Sequence, residues 1–132
     1  MLKICLAGAT GWTGAALGAA ILDAEDLELV AAVARDTAGR DVGEVLGRPA
    51  AGVAISGELA SALETPCDVV IDYTHPSVAK AHVMTAIAHG VPVVLGTAGL
   101  NAADFGQIDE AAEAAGVGVM AAGNFSLTAA LL

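Results

Sequence analysis

Glycines and small polar residues form a loop close to the N-terminus, Gly8-Ala9-Thr10-Gly11-Trp12-Thr13-Gly14. The loop follows an apolar run and precedes a segment rich in alanine and leucine, so it connects a predicted strand to a predicted helix. In such a connection Gly8 permits a sharp turn, Gly11 admits a pyrophosphate to the backbone, and Gly14 lets the helix pack closely on the sheet. Free amide groups and the helix dipole favour an anion there. The sequence therefore predicts a dinucleotide site, with a glycine-rich turn that binds nothing as the alternative.

The second predicted strand ends in residues that would select the dinucleotide. Arg35 and Asp36 follow its last apolar residues, and Arg40 and Arg48 lie on the next loop. An arginine at this place holds a 2′-phosphate, whereas an acid accepts hydrogen bonds from the ribose 2′-hydroxyl. We therefore favour NADP(H), while Asp36 leaves NAD(H) open and solvated loop arginines remain the alternative.

Two further loops lie where predicted strands end, Tyr73-Thr74-His75 and Gly96-Thr97-Ala98-Gly99. Ligands of open α/β sheets bind outside the carboxyl ends of the strands. Backbone amides and a hydroxyl in the second loop suit the nicotinamide end of a dinucleotide. Without the first glycine loop, each would be an ordinary turn.

The histidines and cysteines give no metal site. His82 and His89 are seven residues apart, roughly 10 Å along a helix, which is too far for one ion, so we expect surface histidines, His75 included. Cys5 and Cys67 each sit at the edge of an apolar run, and we expect two buried, reduced thiols, with a disulfide between them as the alternative.

Composition limits the class of protein. The net charge of −10 argues against a nucleic-acid partner. No apolar run is long enough to cross a bilayer, and no signal-peptide pattern is present, so we expect a cytoplasmic protein without a membrane partner.

Short apolar runs alternate with helix-length segments along the chain. This alternation predicts an α/β fold of the Rossmann type: a doubly wound parallel sheet in a single three-layer α/β/α domain over residues 1–132. Strands are predicted at 2–7, 27–34, 53–55, 67–72, 91–95 and 117–121. Helices are predicted at 14–22, 58–63, 76–89 and for about fifteen residues after Asn101, with another beginning at Leu127 and a long loop at 35–52.

Four segments together resemble one enzyme family. They are the glycine loop, Val70-Ile71-Asp72-Tyr73-Thr74-His75-Pro76, Val94-Leu95-Gly96-Thr97-Ala98-Gly99-Leu100 and Gly123-Asn124-Phe125-Ser126-Leu127. In this order and spacing they are similar to the N-terminal domain of bacterial dihydrodipicolinate reductase, which reduces a cyclic dipicolinate precursor in lysine and diaminopimelate synthesis with NADPH or NADH.

The resemblance implies a set of cofactor contacts and no catalytic or metal-binding residue in this chain. The implied contacts, with the loop residues already noted, are Gly8, Ala9, Thr10, Gly11, Trp12, Thr13, Arg35, Tyr73, Thr74, Gly96, Thr97, Ala98, Ala122, Gly123, Asn124 and Phe125. Two positions depart from the family pattern. Trp12 stands where members usually carry Arg or Lys, and Ala98 stands where they usually carry a threonine whose hydroxyl contacts the substrate.

The resemblance also implies a second domain that this sequence does not contain. Family members continue into a substrate domain with an H-H-x-x-K-x-D-A-P-S-G-T segment, whose His and Lys are the proposed proton donors. We therefore expect a dinucleotide-binding domain cut at the start of the hinge, inactive alone, that meets its small-molecule substrate only with the missing domain. A non-catalytic dinucleotide-sensing module and another Rossmann-type dehydrogenase or CoA-binding domain remain the alternatives, and the oligomeric state is open.

Overall fold

Six short apolar strands alternate with five helices in the computed structural model, which describes residues 1–121. The order is β1 (Leu2–Ala7), α1 (Trp12–Asp23), β2 (Leu27–Val33), α2 (Val42–Val45), β3 (Ile55–Ser56), α3 (Leu59–Ala62), β4 (Val69–Asp72), α4 (Pro76–Ala88), β5 (Val93–Leu95), α5 (Ala102–Ala115) and β6 (Val119–Ala121). The predicted helix at Leu127 lies outside the described residues.

All the strand pairs within this part of the chain are parallel, in the order β3-β2-β1-β4-β5-β6. The chain moves outward from β1 through β2 to β3 and then returns to pair β4 on the other side of β1. The carboxyl ends of β1 and β4 therefore flank the switch point, where open α/β sheets bind ligands.

Each face of the sheet packs against its own helices. On one face α1 and α2 cover a core that contains Leu6, Ile21 and Val42. On the other face α3, α4 and α5 cover a core that contains Val83 and Ile108. The predicted three-layer α/β/α fold is thus confirmed, since apolar side chains on both faces of a parallel sheet need helices on both faces.

Helix ends set the strand boundaries. Strands β4, β5 and β6 each begin two residues later than predicted. For β5 and β6 the cause is visible: the amides of Val91 and Val117 bond back to the carbonyls of Ala86 and Ala112 at 2.9 and 3.0 Å. The left-handed Gly90 and Gly116 permit these C-terminal caps, which keep the next two residues out of the sheet.

The predicted long loop contains a short helix, α2, which corrects that prediction. Asp41 caps it by accepting from the amide of Glu44. The same carboxylate accepts from the amides of Ala51, Gly52 and Val53 at 2.9, 2.8 and 3.2 Å, and these bonds lower the pKa of Asp41. Because the amide of Val53 is bound here, β3 begins at Ile55 and not at residue 53.

The two cysteines are free thiols on the face covered by α3 to α5. Cys5 is buried, but Cys67 is only half-buried, which corrects the expectation for that residue. Contact with Cys67 and burial raise the pKa of the Cys5 thiol. Within residues 1–121, no helix is long and apolar enough to cross a membrane.

Helix α1 begins at Trp12, earlier than predicted, and Gly14 lies in its first turn. A Cβ on Gly14 would lie 1.8 Å from the carbonyl oxygen of Gly8. The predicted close packing at Gly14 is therefore made against the preceding loop and not against the sheet.

This contact predicts opposite outcomes for two glycine-to-alanine changes in helices. Gly14→Ala lowers the free energy of unfolding by about 1–3 kcal/mol or more, because backbone must shift to admit the methyl group. Gly106→Ala, in α5 where a Cβ meets nothing within 4 Å, raises it by roughly 0.5–1 kcal/mol. Urea unfolding followed by circular dichroism measures both, and equal effects of the two changes would contradict the packing argument.

Candidate functional site

A cavity of about 860 Å³ opens at the switch point between β1 and β4. Its walls are the loops that follow β1, β2, β4 and β5, the start of α3 and one side of α4. It brings together most of the predicted site residues: Gly8, Thr10, Gly11, Trp12, Thr13, Arg35, Tyr73, Thr74, Gly96, Thr97 and Ala98. Ala9 is buried beneath them.

The glycine loop leaves β1 through a turn that only glycine accommodates well. Gly8 has a φ of +88°, and a Cβ there would lie 2.1 Å from the carbonyl oxygen of Tyr73. Its amide donates to Val33 at 2.9 Å, and the amide of Gly11 donates to the Gly8 carbonyl at 3.1 Å. The loop is therefore held between the ends of β2 and β4, and the predicted role of Gly8 in the turn is confirmed.

The loop delivers the N-terminus of α1 to the cavity without a side-chain cap. Gly11 is its N-cap residue and offers no acceptor, and the first turn holds no acidic residue. By contrast, His75 caps α4 and Asn101 caps α5, the latter in a capping box with Asp104. The first amides of α1 therefore remain for a ligand, and the helix dipole favours an anionic one.

Trp12 opens α1 and lies at the cavity rim with 97% of its surface exposed. Nothing in the described residues packs over the indole ring. A large apolar side chain so exposed beside a cavity is available to a ligand or to another polypeptide segment.

Among the lysines and arginines of residues 1–121, Arg35 alone lines the cavity. Asp36 and Glu58 lie on the same wall. Arg40 is exposed and lies off the cavity. Arg48 binds Asp23 instead, through Nε and a terminal nitrogen at 3.0 and 2.8 Å. This pairing lowers the pKa of the Asp23 carboxyl, so Arg48 is not a second ligand here.

The loops after β4 and β5 are joined by a buried carboxylate. Asp72, the last residue of β4, is fully buried, and its Oδ1 accepts from the hydroxyls of Thr74 and Thr97 at 2.7 and 2.8 Å and from the Thr74 amide at 3.1 Å. The Thr97 hydroxyl in turn accepts from the Thr74 amide at 2.8 Å. Both threonine hydroxyls are thus bound within the protein.

The histidines occupy three different environments. His75 and His89 are exposed, as predicted, but His82 is half-buried on the cavity wall, which corrects that expectation. Its Nδ1 lies 2.8 Å from Oδ2 of Asp72. Sequence reasoning missed this pair, although an acid at the end of an otherwise apolar strand signals a buried carboxylate that needs partners.

Other expected contacts lie elsewhere. Ala122, Gly123, Asn124 and Phe125 fall outside the described residues. The Tyr73 ring packs on Gly96, where a Cβ would lie 2.3 Å from the ring. Lys80 is bound to Gln107 and Asp104 on α5, away from the cavity.

Comparisons with known proteins agree with this geometry. The sequence model of the family "Dihydrodipicolinate reductase, N-terminus" matches residues 2–125. The 4-hydroxy-tetrahydrodipicolinate reductase of Desulfitobacterium hafniense is 37% identical over 133 residues, which span 99% of this chain and 50% of that protein.

Solved structures give the same picture. The dipicolinate-bound dihydrodipicolinate reductase of Paenisporosarcina sp. TG-14 superposes with a TM-score of 0.83 at 28% identity, over 99% of this chain and 50% of that one. An oxidoreductase of Agrobacterium radiobacter solved with NAD⁺, L-tartaric acid and magnesium gives 0.76 at 25% identity, over 94% of this chain and 36% of its own. The chain spans about half the length of the reductases from Desulfitobacterium hafniense and Paenisporosarcina sp. TG-14, and it belongs to the dihydrodipicolinate reductase family, as that family's N-terminal domain.

Proposed function

We propose that this chain binds a nicotinamide dinucleotide in the cavity at the switch point, as the cofactor domain of a reductase that acts on a cyclic dipicolinate precursor. The observation that carries the proposal is the N-terminus of α1, which has no side-chain cap and whose first residues, Gly11, Trp12 and Thr13, line the cavity. Family membership supplies the reaction, and the role in lysine synthesis and a cytoplasmic location rest on that membership as well.

The described residues fit a dinucleotide on three points. The absence of Cβ atoms at Gly8 and Gly14 lets the loop lie flat against β4 and α1, which leaves a concave backbone surface for a pyrophosphate. Arg35 supplies one positive charge at the end of β2. The loops at Thr74 and Thr97 form the far wall, where a nicotinamide ring would meet backbone groups.

When bound, the reduced dinucleotide supplies hydride, and the residues of this chain bind and orient the dinucleotide. Neither lysine is placed to protonate a product at the cavity. Lys80 is bound to α5, and Lys3 lies near the amino end of β1, whereas the cavity is at its carboxyl end. We propose that proton donation and substrate binding come from the half of the family's length that this chain does not span.

The choice between the two dinucleotides depends on Arg35 and the acids near it. Arg35 favours the 2′-phosphate of NADP(H), whereas Asp36 and Glu58 on the same wall favour a ribose hydroxyl and repel a phosphate. We propose that NADP(H) is preferred and that NAD(H) also binds.

Trp12 gives a direct test of binding, because it is the single tryptophan and lies at the rim. Titration with NADPH changes its emission saturably, NADH does so at higher concentration, and coenzyme A does not. Calorimetry on the same samples provides the control for inner-filter effects. A response to coenzyme A alone, or to none of the three, would refute the proposal.

A pair of arginine variants tests the phosphate role. Arg35→Ala weakens NADPH binding about ten- to hundredfold, the value of one hydrogen-bonded charge pair, and NADH binding by less than about threefold. Arg40→Ala removes the same charge off the cavity and leaves both affinities unchanged. Equal losses for the two dinucleotides in Arg35→Ala would count against a 2′-phosphate contact.

Turnover separates a cofactor domain from a non-catalytic sensing module. This chain alone consumes no NADPH in the presence of the dipicolinate precursor. Joined to the second half of the Desulfitobacterium hafniense relative, it does so, and absorbance at the nicotinamide band follows the reaction. A chimera that folds and binds NADPH but never turns over would favour the sensing module.

A further inference from the structure

We propose that Asp72 is a positioning residue of the cofactor site: its buried carboxylate ties the loops after β4 and β5 together and fixes the ring orientation and tautomer of His82 on the cavity wall. The inference rests on the proposed function, since it concerns the same cavity. It adds two residues, Asp72 and His82, that no ligand contact implied by the family resemblance includes.

The two carboxylate oxygens of Asp72 bind different elements: Oδ1 bonds the loops after β4 and β5, and Oδ2 bonds helix α4. Oδ1 accepts three hydrogen bonds, from the Thr74 amide, the Thr74 hydroxyl and the Thr97 hydroxyl, all within 3.1 Å. Oδ2 meets Nδ1 of His82 at 2.8 Å. One buried group thereby connects β4, the loop after it, the loop after β5 and the second turn of α4.

A carboxylate with no exposed surface must have such partners, because an unsatisfied buried charge is very costly. The bonds therefore hold Thr74 and Thr97 in one arrangement. Their hydroxyls are occupied, so the loops present backbone groups to the cavity in a fixed geometry. Fixed donors and acceptors are what make a binding site effective before the ligand arrives.

The His82 contact adds a defined polar group to the wall. A carboxylate only accepts hydrogen bonds, so Nδ1 of His82 carries the proton. In a neutral ring this leaves Nε2 as an acceptor, and the ring lines the cavity with 19% of its side chain exposed. A neutral His82 therefore has Nε2 left as an acceptor for a hydrogen-bond donor of the ligand.

Two substitutions separate the roles of the two oxygens. Asp72→Asn keeps an oxygen for the threonines, but its amide must donate to His82, which forces the proton onto Nε2 and removes the acceptor from the wall. Asp72→Ala removes every bond. Asp68→Asn is the matched control, because Asp68 precedes the same strand at its other end and its exposed carboxylate accepts from the Lys3 amide.

The first measurement is the dissociation constant for NADPH, taken well below the unfolding temperature of each variant. Asp72→Asn raises it about three- to tenfold and Asp72→Ala by more than about thirtyfold, while Asp68→Asn changes it by less than about twofold. Partial rescue by Asn over Ala is the expected pattern of a positioning role. Wild-type affinity in a folded Asp72→Asn and Asp72→Ala would overturn the proposal.

The second measurement needs no cofactor and so separates this inference from the proposed function. Nitrogen-15 NMR at about pH 9, where imidazoles are ordinarily neutral, reports each tautomer. His75 and His89 serve as internal references, since Nδ1 of His75 accepts from the Ser77 amide and Nδ1 of His89 meets the Thr85 carbonyl. In the wild type we expect the nitrogen-15 shifts of His82 to match those of His89, with the proton on Nδ1. In Asp72→Asn we expect them to match those of His75, with the proton on Nε2.

The outcomes are distinguishable. A wild-type chain that binds no dinucleotide refutes the proposed function, and the tautomer measurement then still decides whether Asp72 sets His82. A wild-type chain that binds NADPH while His82 carries its proton on Nε2 leaves the proposed function standing and overturns the inference about Asp72.

Discussion

The backbone of the glycine loop touches the backbone at the end of β4, and much of the site depends on that contact. A Cβ on Gly8 would lie 2.1 Å from the Tyr73 carbonyl oxygen, and one on Gly14 would lie 1.8 Å from the Gly8 carbonyl oxygen. The absence of two methyl groups thus sets where α1 begins relative to β4. Since β1 and β4 flank the switch point, the same contact aims the helix N-terminus at the cavity.

From Tyr73 the restraint passes to the neighbouring strands through Asp72. The carboxylate joins the loops after β4 and β5, and the Tyr73 ring lies on Gly96 where no side chain fits. Three contacts therefore link the ends of β1, β4 and β5: the close backbone approach at Gly8, the Tyr73 ring on Gly96 and the bonds of the buried Asp72 carboxylate. Each alone would leave its loop free to move against the next.

The elements of the fold were predictable because periodicity and end signals are local. Asn101 caps α5 as predicted, and the helix predicted at 76–89 is observed at Pro76–Ala88. Strand starts were less predictable, since β5 and β6 lose their first residues to bonds with the preceding helix. The helix α2 was missed because its cap, Asp41, also bonds residues ten to twelve positions away.

The candidate site was predictable where one loop carries the chemistry and not where distant residues meet. The glycine loop and Arg35 follow from strand ends, and the structure brings both to one cavity. Arg48 was a candidate by its position in sequence, but Asp23 binds it 25 residues away. Likewise, nothing near His82 in the sequence shows that Asp72 faces it, because that contact depends on how α4 packs on β4.

This distribution of polar groups bears on what the described residues can do. The hydroxyls of Thr74 and Thr97 are bound to Asp72, and Lys80 is bound to α5. The cavity wall of the described residues also holds backbone, Arg35, Asp36 and Glu58, the indole of Trp12 and the rings of His75 and His82. Such groups hold and orient a ligand, whereas a reductase must also fix a substrate and protonate it. The proposed division, with binding here and proton donation in the other half of the family's length, is in keeping with Lys80 and the hydroxyls of Thr74 and Thr97 being bound within the protein.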